Sequence, residues 1–153
     1  MTYSCGYVVS KRLRSLISFL ALSLSLFAER PNVLIIGIDD LRPELNCYGA
    51  THIHSPNIDR LASEGTLFES AYCQYAVCGP SRSSMFTGLR PDVTKAYNNK
   101  MHFRDTLPNA ISLAEHFKNN GYATYGFGKI LHNTHRDERS WTDPQHYIVE
   151  KQY

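Results

Sequence analysis

The 153 residues amount to one ordinary domain, and a hydrophobic content of 42% is enough to build a core, which excludes wholesale disorder. The formal net charge of +2 is no basic footprint. Three of the positive charges, Lys11, Arg12 and Arg14, fall in residues 1–28, which contain no acid, so nucleic acid is not an expected partner. That first segment has the build of an export signal. Its positive charges precede an apolar run from Leu16 to Phe27, broken only by Ser18, Ser23 and Ser25. The run is shorter than the ~20 apolar residues a membrane span needs. Residues 1–28 therefore read as a signal peptide cleaved after Ala28, and 29–153 as the N-terminal part of a catalytic domain. The expected destination is a periplasmic, secreted or lysosome-like compartment, with no stable membrane insertion after cleavage.

Asn32 to Ile38 is a continuous apolar, branched run, the pattern of a strand buried on both faces of a parallel sheet, and it ends in Asp39-Asp40. A polar loop with Pro43, Asn46 and Gly49 follows. Ser55-Pro56-Asn57 opens a helix, with Ser as N-cap and Pro at its first position; Ile58, Leu61 and Ala62 form its apolar stripe and Gly65 stops it. Leu67 to Tyr72 reads as a second short strand, and Pro80 to Phe86 as a short helix stopped by Gly88 and Pro91. Asp92 to Arg104 is polar and irregular. Pro108 to Asn120 is an amphipathic helix ending at Gly121, and Tyr122 to Phe127 a third strand. From Asn133 the chain is polar and without period. The order β-α-β-α-α-β predicts an α/β fold with a partial, mostly parallel sheet flanked by helices.

Two features carry chemistry. Ligands of open α/β sheets sit beyond the carboxyl ends of the strands, which is where Asp39 and Asp40 fall. Adjacent carboxylates repel unless a cation lies between them, and oxygen ligands suit a hard ion such as calcium or magnesium. A strand that simply ends in a polar turn is the other reading of the same pair, which also occurs in phosphoacceptor receiver domains. The second feature is Cys78, placed just before a helix N-terminus, where free N–H groups and the helix dipole favour an anion and activate a thiol. Arg82, one turn on, adds a fork of donors for an oxyanion. A buried structural cysteine is the alternative.

Cys78-Gly79-Pro80-Ser81-Arg82, followed by Thr87-Gly88, resembles the type I sulfatase signature C-x-P-S-R-x4-T-G at every defining position. The resemblance runs from about Pro31 to Trp141. It includes the first strand with Asp39-Asp40, the helix Ser55-Pro-Asn-Ile-Asp-Arg-Leu-Ala, and Gly128-Lys129-Ile-Leu-His132. It implies an alkaline-phosphatase-like α/β fold and a sulfuric ester hydrolase. By that resemblance Cys78 is oxidised by a separate maturation enzyme to Cα-formylglycine, whose hydrated aldehyde, a gem-diol, attacks sulfur. Asp39, Asp40 and residue 78 hold Ca²⁺, Arg82 fixes the modified side chain, Lys129 bridges it to the sulfate, and His132 bonds its hydroxyl. The stretches Asp39-Asp40-Leu-Arg-Pro43 and Cys47-Tyr-Gly49, with two residues between Lys129 and His132, are most similar to the iduronate-2-sulfatase branch. This implies an acidic sulfated sugar of glycosaminoglycan type as substrate. The phosphonate and phosphate monoester hydrolases of the same superfamily are the rival class.

The family's remaining calcium ligands would come later in a chain than Tyr153, so these residues alone are expected to be an inactive fragment, since Ca²⁺ takes roughly 6–8 oxygens. Removal of the signal would leave Cys47, Cys73 and Cys78, in which Cys47 and Cys73 have the option of pairing. No C-x2-C knuckle accompanies His52 and His54, so zinc is not expected. His102, His116, His135 and His146 read as loop or surface histidines. The ten tyrosines are expected to pack or cover the sheet, with stacking on a sugar as the alternative.

Overall fold

A computed structural model of the chain describes residues 30–132 and 135–146. The expected signal segment, 1–28, lies outside the described residues. The chain divides into two units, Met1–Ile36 and Gly37–Tyr153. Of the first, residues 30–36 are described; they form no regular element, and Val33, Leu34, Ile35 and Ile36 are exposed, Leu34 at 83%.

The second unit is built from helices and turns. A 3-10 turn, Asn46–Tyr48, packs against α1, Pro56–Glu64. Ser55 precedes α1 as expected, but its hydroxyl does not bond the helix N–H groups. It accepts from Asn46 N–H at 3.1 Å and donates to Asp59 Oδ1 at 2.9 Å, and the same Asp59 oxygen accepts from Cys47 N–H at 2.9 Å. The Ser-Pro-Asn-Ile-Asp stretch therefore staples the helix to the preceding loop as well as starting it. Cys47 and Cys73 are free thiols.

Helix α2 spans Cys78–Thr87 and is followed by two single-turn helices, α3 (Pro91–Thr94) and α4 (Phe103–Thr106). Helix α5, Leu113–Asn119, is shorter than the predicted 108–120 because Ser112 caps it, accepting from Glu115 N–H at 3.1 Å. α2 packs on α3 and α5, and Phe86 of α2, Phe103 of α4 and Leu131 form the hydrophobic core, with Ala110, Leu113 and Ile130 at its margin.

The predicted sheet is not found. Among the described residues no strand ladder forms, and the runs 32–38 and 67–72 have no β partner. Ile38, Phe68 and Tyr72 are exposed instead of buried. A strand exists only through its neighbours, and apolar composition cannot supply them. The third expected strand survives as a trace: Phe127 makes a parallel bridge with His146. Around it Gly128 N–H donates to the His146 carbonyl at 2.8 Å, His146 N–H to Gly126 at 2.9 Å, and Thr142 N–H to Thr124 at 2.9 Å. Trp141 lies across Gly126, where an added Cβ would meet its ring at 3.0 Å.

What fastens α5 to the C-terminal 3-10 turn, Glu138–Ser140, is a polar network. Arg104 holds Asp137 with two bonds of 2.7 Å and Glu115 with one of 2.8 Å, and Arg139 also reaches Glu115 at 2.8 Å. Ser140 bonds both Ser112 and Asp137. Burial alone would raise the two carboxyls, but the guanidinium bonds outweigh it and hold Glu115 and Asp137 below the ordinary carboxylate range. A folded pKa below the unfolded one contributes stability that is full above the unfolded value, about 4, and is lost as pH falls through the folded value. Acid titration followed by circular dichroism should therefore unfold Asp137→Asn with a weaker pH dependence below about pH 4 than the parent. Superimposable normalised acid profiles would remove Asp137 from the account.

Candidate active site

The signature segment is a helix start in which each residue has a local task. Cys78 is the first residue of α2, after Val77 in extended conformation, and Pro80 sits in the first turn, where no N–H is needed. Gly79, Pro80, Arg82, Ser83, Ser84 and Phe86 are buried, so short polar side chains let the helix sink among its neighbours. Thr87 and Gly88 end it. The Thr87 hydroxyl donates to the Ser83 carbonyl at 2.7 Å, and Gly88 closes the last turn at φ +67°, a left-handed conformation glycine adopts without strain.

Asp39 and Asp40 form a turn in the same unit. Asp40 is left-handed, φ +53°, which an aspartate tolerates better than most residues. The two neighbouring carboxylates serve different partners. Asp40 Oδ1 faces the Cys78 thiol at 3.8 Å, whereas Asp39 is taken by cations: Arg82 Nη2 at 3.0 Å and Lys129 Nζ on its other oxygen. The hydrogen bond from Lys129 is the largest influence on the Asp39 carboxyl; with Arg82 it outweighs burial and holds the group at about 2. One donor atom each from Asp39, Asp40 and Cys78 lies within 4.8 Å of the others. Two carboxylates at that spacing fit a hard cation.

Arg82 is 8% exposed. Besides Asp39 it binds the carbonyls of Lys129 and Ile130, the latter at 3.0 Å. A single guanidinium thus fixes both the acidic turn and the loop that carries Lys129. His132 lies further along that loop, half-buried, and hydrogen-bonds the Asn99 backbone. Burial first, then the positive charge of Lys129, lowers its pKa, so the ring is neutral near pH 7.

All six residues singled out in the sequence, Asp39, Asp40, Cys78, Arg82, Lys129 and His132, belong to one connected set. Asn99 was overlooked. Its side-chain carbonyl accepts from Gly79 N–H at 2.8 Å while its backbone meets His132, so it ties the cysteine's helix to the histidine's loop. The one signal was Gly79: a Cβ there would lie 3.0 Å from Asn99 Oδ1 and 3.1 Å from the backbone of Asn98 and Asn99. Because two of those neighbours are backbone, Gly79→Ala should lower stability by about 1–3 kcal/mol, read by thermal unfolding. A melting temperature within error of the parent would show that the segment yields freely.

Comparisons with known proteins agree on one family. The sulfatase sequence profile matches residues 31–147. Over 128 residues the chain is 44% identical to the iduronate 2-sulfatase of Homo sapiens, covering 80% of this chain and 23% of that protein. It is 43% identical over 112 residues to a sulfatase of Formosa agariphila, covering 69% of this chain and 22% of the other. A third relative, the N-acetylgalactosamine-6-O-sulfatase of Bacteroides thetaiotaomicron, is 38% identical over 107 residues, 67% of this chain and 20% of that protein. The chain thus spans less than a quarter of the length of these relatives.

Proposed function

The chain belongs to the sulfatase family, whose fold is α/β, and from that premise we propose that it supplies the nucleophile, and part of the cation site, of an exported enzyme that hydrolyses sulfate esters of an acidic sugar. The observation that carries this reading is the convergence of Cys78, Asp39 and Asp40 within 4.8 Å at the mouth of α2. Likeness to iduronate 2-sulfatases supports the choice of sugar. The mostly parallel sheet belongs to the same reading, with the 124–128 and 142–146 segments as its first pairing.

In this mechanism Asp39 and Asp40 would hold Ca²⁺, and residue 78 would add a donor once converted to formylglycine by a maturation enzyme. Calcium at that site would polarise the sulfate oxygens and favour an anionic nucleophile. Once converted, residue 78 would supply the attacking oxygen from one hydroxyl of its hydrated aldehyde, and the second hydroxyl would expel sulfate. The remaining work falls to the chain's own side chains. Lys129, held by Asp39, offers an ammonium to the sulfate oxygens, where charge builds. Arg82 keeps Asp39 and the lysine loop in register. His132, whose pKa burial and Lys129 lower, would accept a proton from the residue-78 hydroxyl and return it.

The test is hydrolysis of a sulfated uronic-acid disaccharide by the intact enzyme, with and without a calcium chelator, beside the matching phosphate ester. Cleavage of the sulfate ester alone, lost with the chelator and restored by Ca²⁺, is expected. Preferential cleavage of the phosphate ester would overturn the assignment. Residues 30–132 and 135–146 contain no helix long and apolar enough to cross a membrane.

A further inference from the structure

The segments that lead into the cysteine's helix and into Asn99 each carry a tyrosine, Tyr75 and Tyr97, that the mechanism above does not use. The rings of Tyr75 and Tyr97 lie 6.3 Å apart, inclined at 57°, and the two residues are 39% and 43% exposed. That geometry leaves ring surface open on both. Each ring is tied to the site through its own backbone. Tyr75 is three residues before Cys78, and its carbonyl accepts from Val77 N–H at 2.8 Å, in the turn that leads into α2. Tyr97 is two residues before Asn99, which receives the Gly79 N–H. Its base is rigid: Ala96 and Thr94 are fully buried, and Lys95 between them is left-handed at φ +57°, closing α3. The buried Ala96 and the exposed Tyr97 thus follow one another just after the closed end of α3.

We propose that Tyr75 and Tyr97 form an aromatic subsite for the pyranose ring that bears the sulfate ester. The inference rests on the sulfatase reading and deepens it. A sulfate ester joins sulfur to its sugar through one oxygen, so a sugar ring whose sulfur is attacked from residue 78 must lie within a few ångströms of the α2 mouth, to which the backbone of both tyrosines leads. Pyranoses present C–H faces that pack on aromatic surfaces and hydroxyls that meet phenol O–H groups. Tyrosine offers both with little side-chain entropy to lose.

The experiment uses the intact enzyme, a sulfated methyl uronopyranoside as substrate, and inorganic sulfate as a competitive inhibitor that lacks a sugar ring. Tyr75→Ala combined with Tyr97→Ala should raise KM for the pyranoside about tenfold while leaving the Ki for sulfate unchanged. Tyr→Phe at both positions should restore most of the affinity, because the ring face carries the interaction. Unaltered Ki for sulfate certifies an intact anion site in the variant. An unchanged KM in the double alanine variant, with the parent active on the pyranoside, would overturn the subsite alone. A parallel rise in the sulfate Ki would overturn it too, since the rings would then be supporting the scaffold. Failure of the parent to cleave the pyranoside at all would sink the underlying sulfatase assignment along with it.

Discussion

Cys78→Ala in the intact enzyme should lower kcat for a sulfate ester by roughly 10⁴-fold or more, with the melting temperature held near that of the parent. Two facts set this expectation. Cys78 opens α2 without being part of the hydrophobic core, so truncation leaves Phe86, Phe103 and Leu131 packed as before. Its sulfur faces Asp40 across 3.8 Å, too long for a strong bond, so little folding energy is lost with it. What vanishes is the thiol whose oxidation would turn Cβ into the aldehyde that carries the attacking oxygen. Mass spectrometry of the parent peptide spanning Cys78 completes the test, since loss of the thiol and gain of an aldehyde should accompany activity. An active preparation with an unmodified thiol would refute the conversion, and an active alanine variant would refute the nucleophile.

The largest stability effect should come from Arg104. Its side chain is 15% exposed, its partners Asp137 and Glu115 only 4% and 8%, and its guanidinium also lies over the Phe103 ring at 4.9 Å. Arg104→Met keeps the stem but leaves Asp137 without its two-pronged partner. Stranding a buried charge in this way costs about 3–5 kcal/mol, and for a chain of this size a melting-temperature drop of about 10 °C follows. Glu115 is partly protected because Arg139 also holds it. Adding Asp137→Asn to Arg104→Met should recover part of the loss, because the orphaned charge goes with it. Equal stability of the single and double variants would show that water, not the protein, compensates Asp137.

The helices were largely legible, because their signals are local. Ser55-Pro56 and Gly65 bracket α1, and Cys78 and Gly88 bracket α2, within a residue or two of the expected bounds. The single-turn helices α3 and α4 were not, since four residues are too few for a periodicity to declare itself. The Arg104 network was equally silent: Arg104 and Asp137 are 33 residues apart, and no spacing rule links them. The six site residues were read from a motif, and their juxtaposition follows from Arg82 and Asn99. Arg82 was expected to act on the modified side chain; its bonds here run to Asp39 and to the Lys129 loop. The strands were read from composition, which reports burial appetite and is mute about partners. That is why the 32–38 run has the right residues and no ladder among the described ones.

That run has a consequence for how the protein is made. Five of the seven residues from Asn32 to Ile38 are valine, leucine or isoleucine, uncharged and without proline, the sort of stretch that stacks on copies of itself when left uncovered. It leaves the ribosome ahead of every helix described here. Until some other segment claims it, the nascent chain carries an adhesive tape, and recombinant yield should depend on synthesis rate and chaperone supply more than on the stability of the finished fold.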